Sequence, residues 1–394
     1  MIGEHLKKQG ANRVAIYLPN STEFLETFFA CVWYGITPIL VPYDQPPATV
    51  VSMLRASKAD SLVASVGSIP NKAVTEEVLC LRRLIWVVGE GSKHMDWDEI
   101  LKGTGRELNV LTWQEIIKDG TLAINELPAD GTPRNLIVFW QSLKGEVGQL
   151  VEITQSNAVS AISAQISAIP ATQRIGPSDI FLPVDSLSTV YPLVTTLACL
   201  YSNASLALNP AAGGSADLQK ATQGVSPTII VASALTVSNT REQIVRKMTS
   251  PLNKFVHWFQ TRTLTQNGVM PSVSMLARFN DPLRPAIGIT PRKLRLIFVS
   301  EKIDDHIPLS SRDLSDLRVF TGARVIYALT AAKVVGAVSQ TAIYDYRVDD
   351  EKQSHFGAPV SSVEILLKDT KDHKTSDVLS AGEVSSVISS MADS

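Results

Sequence analysis

The chain has 394 residues, 45% of them hydrophobic and 19% charged, enough apolar material for one or two buried cores and too much for a disordered chain. A balance of 36 basic against 38 acidic residues leaves a formal charge of −2 with no long basic run, which excludes the electrostatic footprint of a nucleic-acid binder. Cys31, Cys80 and Cys199 are odd in number and widely spaced, so a reducing, cytoplasmic setting is expected and a disulfide framework or zinc site is not. The N-terminus lacks the apolar core of a signal peptide, and no apolar run of about 18 residues occurs, so no transmembrane segment is expected.

In chain order, residues 13–19 (RVAIYLP) read as a short apolar strand. Asn20 and Ser21 can cap the following helix, in which Phe24, Leu25, Phe28, Phe29 and Val32 recur at helical spacing and which Gly35 ends. A buried strand at 37–41 completes a βαβ unit before a proline-rich turn. A helix over 49–58 and strands at 61–66 and 84–88 extend it. Residues 89–134 are more polar, carry helix signals at 97–102 and 112–118, and read as a peripheral excursion.

A second block opens with a strand at 135–140 and passes through a glycine-containing loop. It continues with helices at 155–166 and 191–200 and strands at 180–184, 205–208 and 228–232. A helical stretch at 240–267, a strand at 294–299, a helix at 310–320 and a strand at 324–328 follow. Alternating strands and helices imply parallel sheets, because parallel neighbours need crossover connections. The expected fold class is α/β with two doubly wound subdomains, 1–134 and 135–345, and a β-rich start of a third over 346–394.

Several segments resemble, in order, the AMP-forming acyl-CoA synthetase and adenylation-domain superfamily. Residues 20–44 (NSTEFLETFFACVWYGITPILVPYD) are similar to its NSxEFxxxFFA region, and 182–208 to the segment whose helix lines the acyl pocket. Around residue 327, YALTA stands where the family has YGxTE. FGAPVSSVEILLKD at 356–369 and AGEVSSV at 381–387 are similar to its GxPxxxxxxxIxD and GELxV strands. The fatty acyl-AMP ligase branch and the disco-interacting protein family resemble the chain about as well. The resemblance implies the large N-terminal domain of such an enzyme, truncated before the C-terminal domain that carries the catalytic lysine.

Adenylation needs a site that holds a triphosphate with Mg²⁺ and stabilises departing pyrophosphate. The family's phosphate loop, TSGTTGxPKG, cradles phosphate oxygens with amides and hydroxyls. Here it reads FWQSLKGEVGQ, keeping only Ser142, Lys144, Gly145 and Gly148 of that character and adding Glu146. One misplaced charge about 4 Å away costs on the order of 4 kcal/mol at an effective dielectric near 20. Ala331 replaces the family glutamate, Ala328 the glycine beside adenine, and Ser300, Glu301 and Lys302 the small pair expected there, so side chains are expected in the groove.

By resemblance, the nucleotide-binding candidates are Ser142, Lys144, Gly145, Tyr327 and Thr330. The acyl-pocket candidates are Val190, Leu193, Val194 and Leu197 on one helix, with Val334, Val335 and Gly336 beyond the YGxTE-like segment; a filled core is the alternative for the same residues. No catalytic residue and no metal ligand is assigned, and the six histidines show no ligand spacing. The expected function is a degenerate ligase-like module that binds an acyl group, another hydrophobic small molecule or a protein partner. The alternatives are an active ligase domain, with ATP or AMP and Mg²⁺ as cofactors, completed by a missing C-terminal domain, and a structural module of a larger multidomain protein.

Overall fold

The computed structural model describes residues 1–69, 74, 76–88, 108–119, 133–142, 144–210, 216–270, 278, 281–282, 284, 289–303, 308–348, 354–370, 374–376 and, as backbone, 383–388. Helix α1 (Ile2–Lys8) precedes strand β1 (Arg13–Tyr17), helix α2 (Thr22–Trp33), β2 (Thr37–Leu40), α3 (Pro47–Ser57) and β3 (Ser61–Ser65). Ser21 caps α2 by accepting from the Phe24 amide, and Gly35 takes the left-handed φ of 64° that lets the chain leave the helix. Strands β4 (Arg83–Val87) and β5 (Asn109–Thr112), helix α4 (Trp113–Asp119), and strands β6 (Leu136–Trp140) and β7 (Gln149–Ile153) follow. The helix expected at 97–102 lies outside the described residues.

These strands form one seven-stranded sheet in the order β5-β4-β3-β1-β2-β6-β7, parallel except for the final β6–β7 hairpin. The sequence reading is corrected here in three places. Strand β6 does not open the second sheet: Ile137 lies beside Ile39 and Val138 beside Leu40, so the first sheet runs past residue 135 to Ile153. An all-apolar strand such as LIVFW announces burial on both faces but not which sheet receives it. Half of the expected loop is strand β7, whose Val151 and Ile153 are buried between more exposed neighbours, and the polar excursion includes edge strand β5.

Helix α5 (Gln155–Ser167), β8 (Ile180–Pro183), α6 (Val190–Tyr201), β9 (Ser205–Leu206) and α7 (Leu218–Ala221) lead into β10 (Ile229–Ser233). The single helical stretch expected at 240–267 is two helices, α8 (Ala234–Lys247), capped by Ser233, and α9 (Pro251–Asn267), which starts on a proline. Strand β11 (Leu296–Lys302), α10 (Ser311–Thr321), β12 (Arg324–Thr330), β13 (Ser339–Gln340) and β14 (Ala358–Pro359) complete a second sheet in the order β14-β13-β12-β11-β10-β8-β9. Strands β15 (Val363–Lys368) and β16 (Glu383–Ile388) form a separate antiparallel pair. Both large sheets are doubly wound, as the alternation predicts.

Helices α5 and α6 serve both sheets. Ala161, Leu193 and Val194 join the cluster that packs on β1, with Val14, Ile16 and Phe24. Ala164, Tyr191 and Cys199 join the cluster on the second sheet, with Phe181, Val231 and Phe298. The outer faces are closed by α3 on the first sheet and by α8 and α10 on the second. The result is a five-layer stack, helix–sheet–helix–sheet–helix.

Gly148 begins the return of the β6–β7 hairpin at a φ of 71°, and a Cβ there would collide with the Trp140 carbonyl. The Gly148→Ala variant is expected to lose about 1–3 kcal/mol from backbone strain alone, and more from the collision. Urea denaturation monitored by circular dichroism checks it.

Candidate functional site

In doubly wound sheets ligands settle outside the carboxyl ends of the strands, where the chain reverses its direction of winding. In the second sheet that point lies between β8 and β10, since the chain runs from β8 to β9 on one side and then returns to β10 on the other. Asp185 follows β8 and faces the start of α8: its carboxylate accepts from the Ser233 amide, from Thr236 Oγ1 at 3.2 Å and from Ser233 Oγ at 3.4 Å. Burial pushes this carboxyl up to about 6, against those hydrogen bonds and the nearby Lys302 ammonium, which pull it down. Asn20, just past β1, reaches the same loop from the first sheet: its Nδ2 donates to the Asp185 carbonyl at 2.9 Å and its Oδ1 accepts from the Leu187 amide at 2.8 Å.

The turn between β6 and β7, which carries the nucleotide candidates Ser142, Lys144 and Gly145, is tied to the turn between β2 and α3. Lys144 Nζ pairs with Asp44 at 2.6 Å, both half in solvent, so the pair adds little stability. The Gly145 amide, a nucleotide candidate, donates to Gln45 Oε1 at 3.0 Å, and its carbonyl accepts from Thr49 Oγ1 at 2.7 Å. Gln141 donates to Gln45 Oε1 at 3.1 Å, and Lys302 closes the loop onto the second sheet by donating to the Gln141 carbonyl at 2.7 Å with its ammonium 5.5 Å from the Trp140 ring centre. Ser142 is exposed on this loop. The Gly145 amide and the Lys144 ammonium thus both have partners within the chain.

Tyr327 is fully buried. Its hydroxyl donates to Glu301 Oε2 at 2.6 Å and accepts from the Leu309 amide at 3.0 Å, and its ring stacks on Phe356 with centres 4.7 Å apart. Thr330 Oγ1 donates to the Glu301 carbonyl at 2.8 Å. One face of the Tyr327 ring is thus packed against the chain's own phenyl ring, and the hydroxyls of both candidates are hydrogen-bonded to Glu301. Phe356 is the partner that sequence reading missed, because nothing in FGAPV marks its ring for Tyr327.

The acyl candidates sit elsewhere. Tyr327 belongs to the cluster under α8 and α10, whereas Leu193, Val194 and Val335 belong to the layer between the sheets, with Val190 and Leu197 packed at its margin. Val334 lies in the neighbouring cluster on the second sheet, and a Cβ added at Gly336 would touch Ala161 and Val194. The gap between α5 and α6, bounded in part by Ile166, Ile169, Ala198 and Phe298, measures about 30 Å³, room for a water or two and not for an acyl chain. Tyr327 and the acyl candidates thus fall in different hydrophobic clusters. Among the described residues, no cluster of three or more His, Cys, Asp or Glu side chains could hold a metal ion.

Two expectations follow. Tyr327→Phe removes a hydroxyl that partners buried Glu301 and the Leu309 amide, so it is expected to cost about 1–3 kcal/mol in urea denaturation. Asp185 titrates near 3.9 when unfolded and about 6 when folded. Its contribution to stability is complete below about pH 4 and is lost as pH rises through about 6. The stability of Asp185→Asn relative to the parent should therefore rise between pH 4 and pH 7, read from paired urea midpoints.

Residues 2–114 match the family model described as AMP-binding enzyme. No curated protein matches the chain. Among solved structures, the chain is similar to the anthranilate CoA ligase AuaEII in complex with anthranoyl-AMP at 15% identity and a TM-score of 0.62, covering 93% of this chain and 59% of that one. It is similar to a benzoate CoA ligase from Burkholderia xenovorans LB400 at 15% identity and a TM-score of 0.60, covering 93% and 60%. The inhibitor-bound N-terminal domain of FACL13 from Mycobacterium tuberculosis aligns at 14% identity and a TM-score of 0.64, covering 99% and 80%. The chain thus spans 59% and 60% of the two full ligases. Its fold is that of the N-terminal domain of AMP-forming ligases, and the match and fold agree with the AMP-dependent synthetase superfamily.

Proposed function

We propose that this chain, with the fold of an AMP-forming ligase as its premise, is a non-catalytic member that acts by binding or assembly. The observation that carries the reading is Tyr327, whose ring is covered by Phe356 and whose hydroxyl is held by Glu301. The occupied Gly145 amide and the alanines at 328 and 331 support it from the other side of the groove. Fold alone does not carry activity, and the groups that would stabilise pyrophosphate as it leaves are absent from the matched positions. Of the binding roles, a protein or other macromolecular partner is better supported than a buried acyl ligand, since the candidate acyl residues are packed between the sheets.

The rival reading is a ligase domain that forms acyl adenylates once completed by further chain. The neighbours' acids, anthranilate and benzoate, support it. Titration calorimetry with ATP·Mg²⁺ and carboxylate-dependent pyrophosphate exchange separate the two. We expect no heat beyond dilution and exchange at the no-protein level, unchanged in Ala331→Glu; exchange well above background with any carboxylate would establish the rival. Fatty-acid binding by the parent chain, lost in Leu197→Trp with its melting temperature kept, would restore the acyl role.

A further inference from the structure

Helix α9 is built inside out. Its buried side is modest, with Val256, His257, Gln260 and Leu264 facing the protein. Its solvent side carries Leu252, Phe255, Trp258 and Phe259, exposed by 57%, 62%, 52% and 47%. At 3.6 residues per turn these four side chains fall within an arc of about 120°. Single exposed apolar residues need no explanation, but a contiguous aromatic patch marks an interaction surface. The helix is held firmly in this orientation: His257 Nε2 lies 2.9 Å from Asp316 Oδ1 on α10, and its ring stacks on Phe320 with centres 4.3 Å apart.

Charge supplies an independent observation. Residues 243–280 contain no Asp or Glu, although the chain as a whole is slightly acidic, and they contain Arg246, Lys247, Lys254, Arg262 and Arg278. Lys254 lies at the margin of the aromatic arc, and the Arg262 guanidinium lies 5.4 Å from the Trp258 ring centre. Phe255 and Trp258 stack on each other with centres 6.0 Å apart. An outward ridge of Leu, Phe and Trp flanked by Lys and Arg is the composition of helices that lie in a membrane interface, where the rings enter the acyl boundary and the cations meet headgroup phosphates.

We infer that the outward face of α9 docks this protein on an anionic lipid bilayer. A protein partner would have to present a concave apolar surface matched to this ridge. A bilayer receives any ridge of this width, and its anionic headgroups provide the complementary charge. The docking is peripheral, through one helix lying in the plane of the interface. It stands independently of the nucleotide groove, since it uses no residue of that site.

The test is flotation of the purified full chain with vesicles of phosphatidylcholine alone and of phosphatidylcholine mixed with phosphatidylserine. The parent protein is expected to float with the mixed vesicles and to be released by high salt. Lys254→Gln and Arg262→Gln should each weaken binding about fivefold, and the double variant Phe255→Ser/Phe259→Ser should weaken it by at least about tenfold. Quenching of tryptophan fluorescence by brominated lipid, lost in Trp258→Tyr, reports insertion at this face. The charge variants keep the test decisive should the double serine variant fail to fold. Absence of flotation by the parent, or flotation undiminished in all of these variants, overturns the inference. A concentration-dependent dimer broken by the serine variant, without vesicle binding, assigns the face to a second copy and overturns it equally.

Discussion

Two parallel sheets can share one chain only when the helices between them are apolar on both sides. Helices α5 and α6 meet that demand with small and branched residues that face alternately toward β1 and toward β8 and β11. Much of the remaining architecture follows from that shared layer, including where the outer helices lie and why the post-β8 loop comes within reach of Asn20. The same demand consumes residues that the sequence motifs would assign to a ligand. Leu193 and Val194 are among them, buried in the cluster on the first sheet.

The polar contacts near Tyr327 and Gly145 are likewise made within the chain. Glu301 takes the hydroxyl of Tyr327, Phe356 its ring, Gln45 the Gly145 amide and Lys302 the Gln141 carbonyl. A buried donor or acceptor left unmade is costly, and each of these groups finds its partner within the chain. Ala328 lies in the same strand as Tyr327 and Thr330, and Ala331 just beyond it.

Much of the fold was legible because its signals are periodic. The apolar runs at β1, β3, β10 and β11 and the capped helices α2 and α10 stand within a few residues of their expected bounds. What escaped was pairing. Nothing local in LIVFW distinguishes the first sheet from the second, and a five-residue strand such as Gln149–Ile153, with glycine just before it, reads as a loop until its partner is known. For the site, Glu301 and Lys302 were visible as intruders among small residues, but their contacts with Tyr327 and Gln141 cross between distant segments. The outward aromatics of α9 escaped for a different reason: helical periodicity reports that apolar residues share a face without reporting which way that face turns.

The pairing of Ile39 with Ile137 has a consequence for synthesis. Strands β1 to β4 can assemble early, but β2 then stands as a bare parallel edge until β6 emerges from the ribosome. During that interval a flat strand of the sequence TPIL offers its unpaired amides and carbonyls to any other extended chain. The β6–β7 hairpin therefore acts as a closing clasp, and a nascent chain halted before Ile153 is an aggregation hazard even though the core under α3 is largely present.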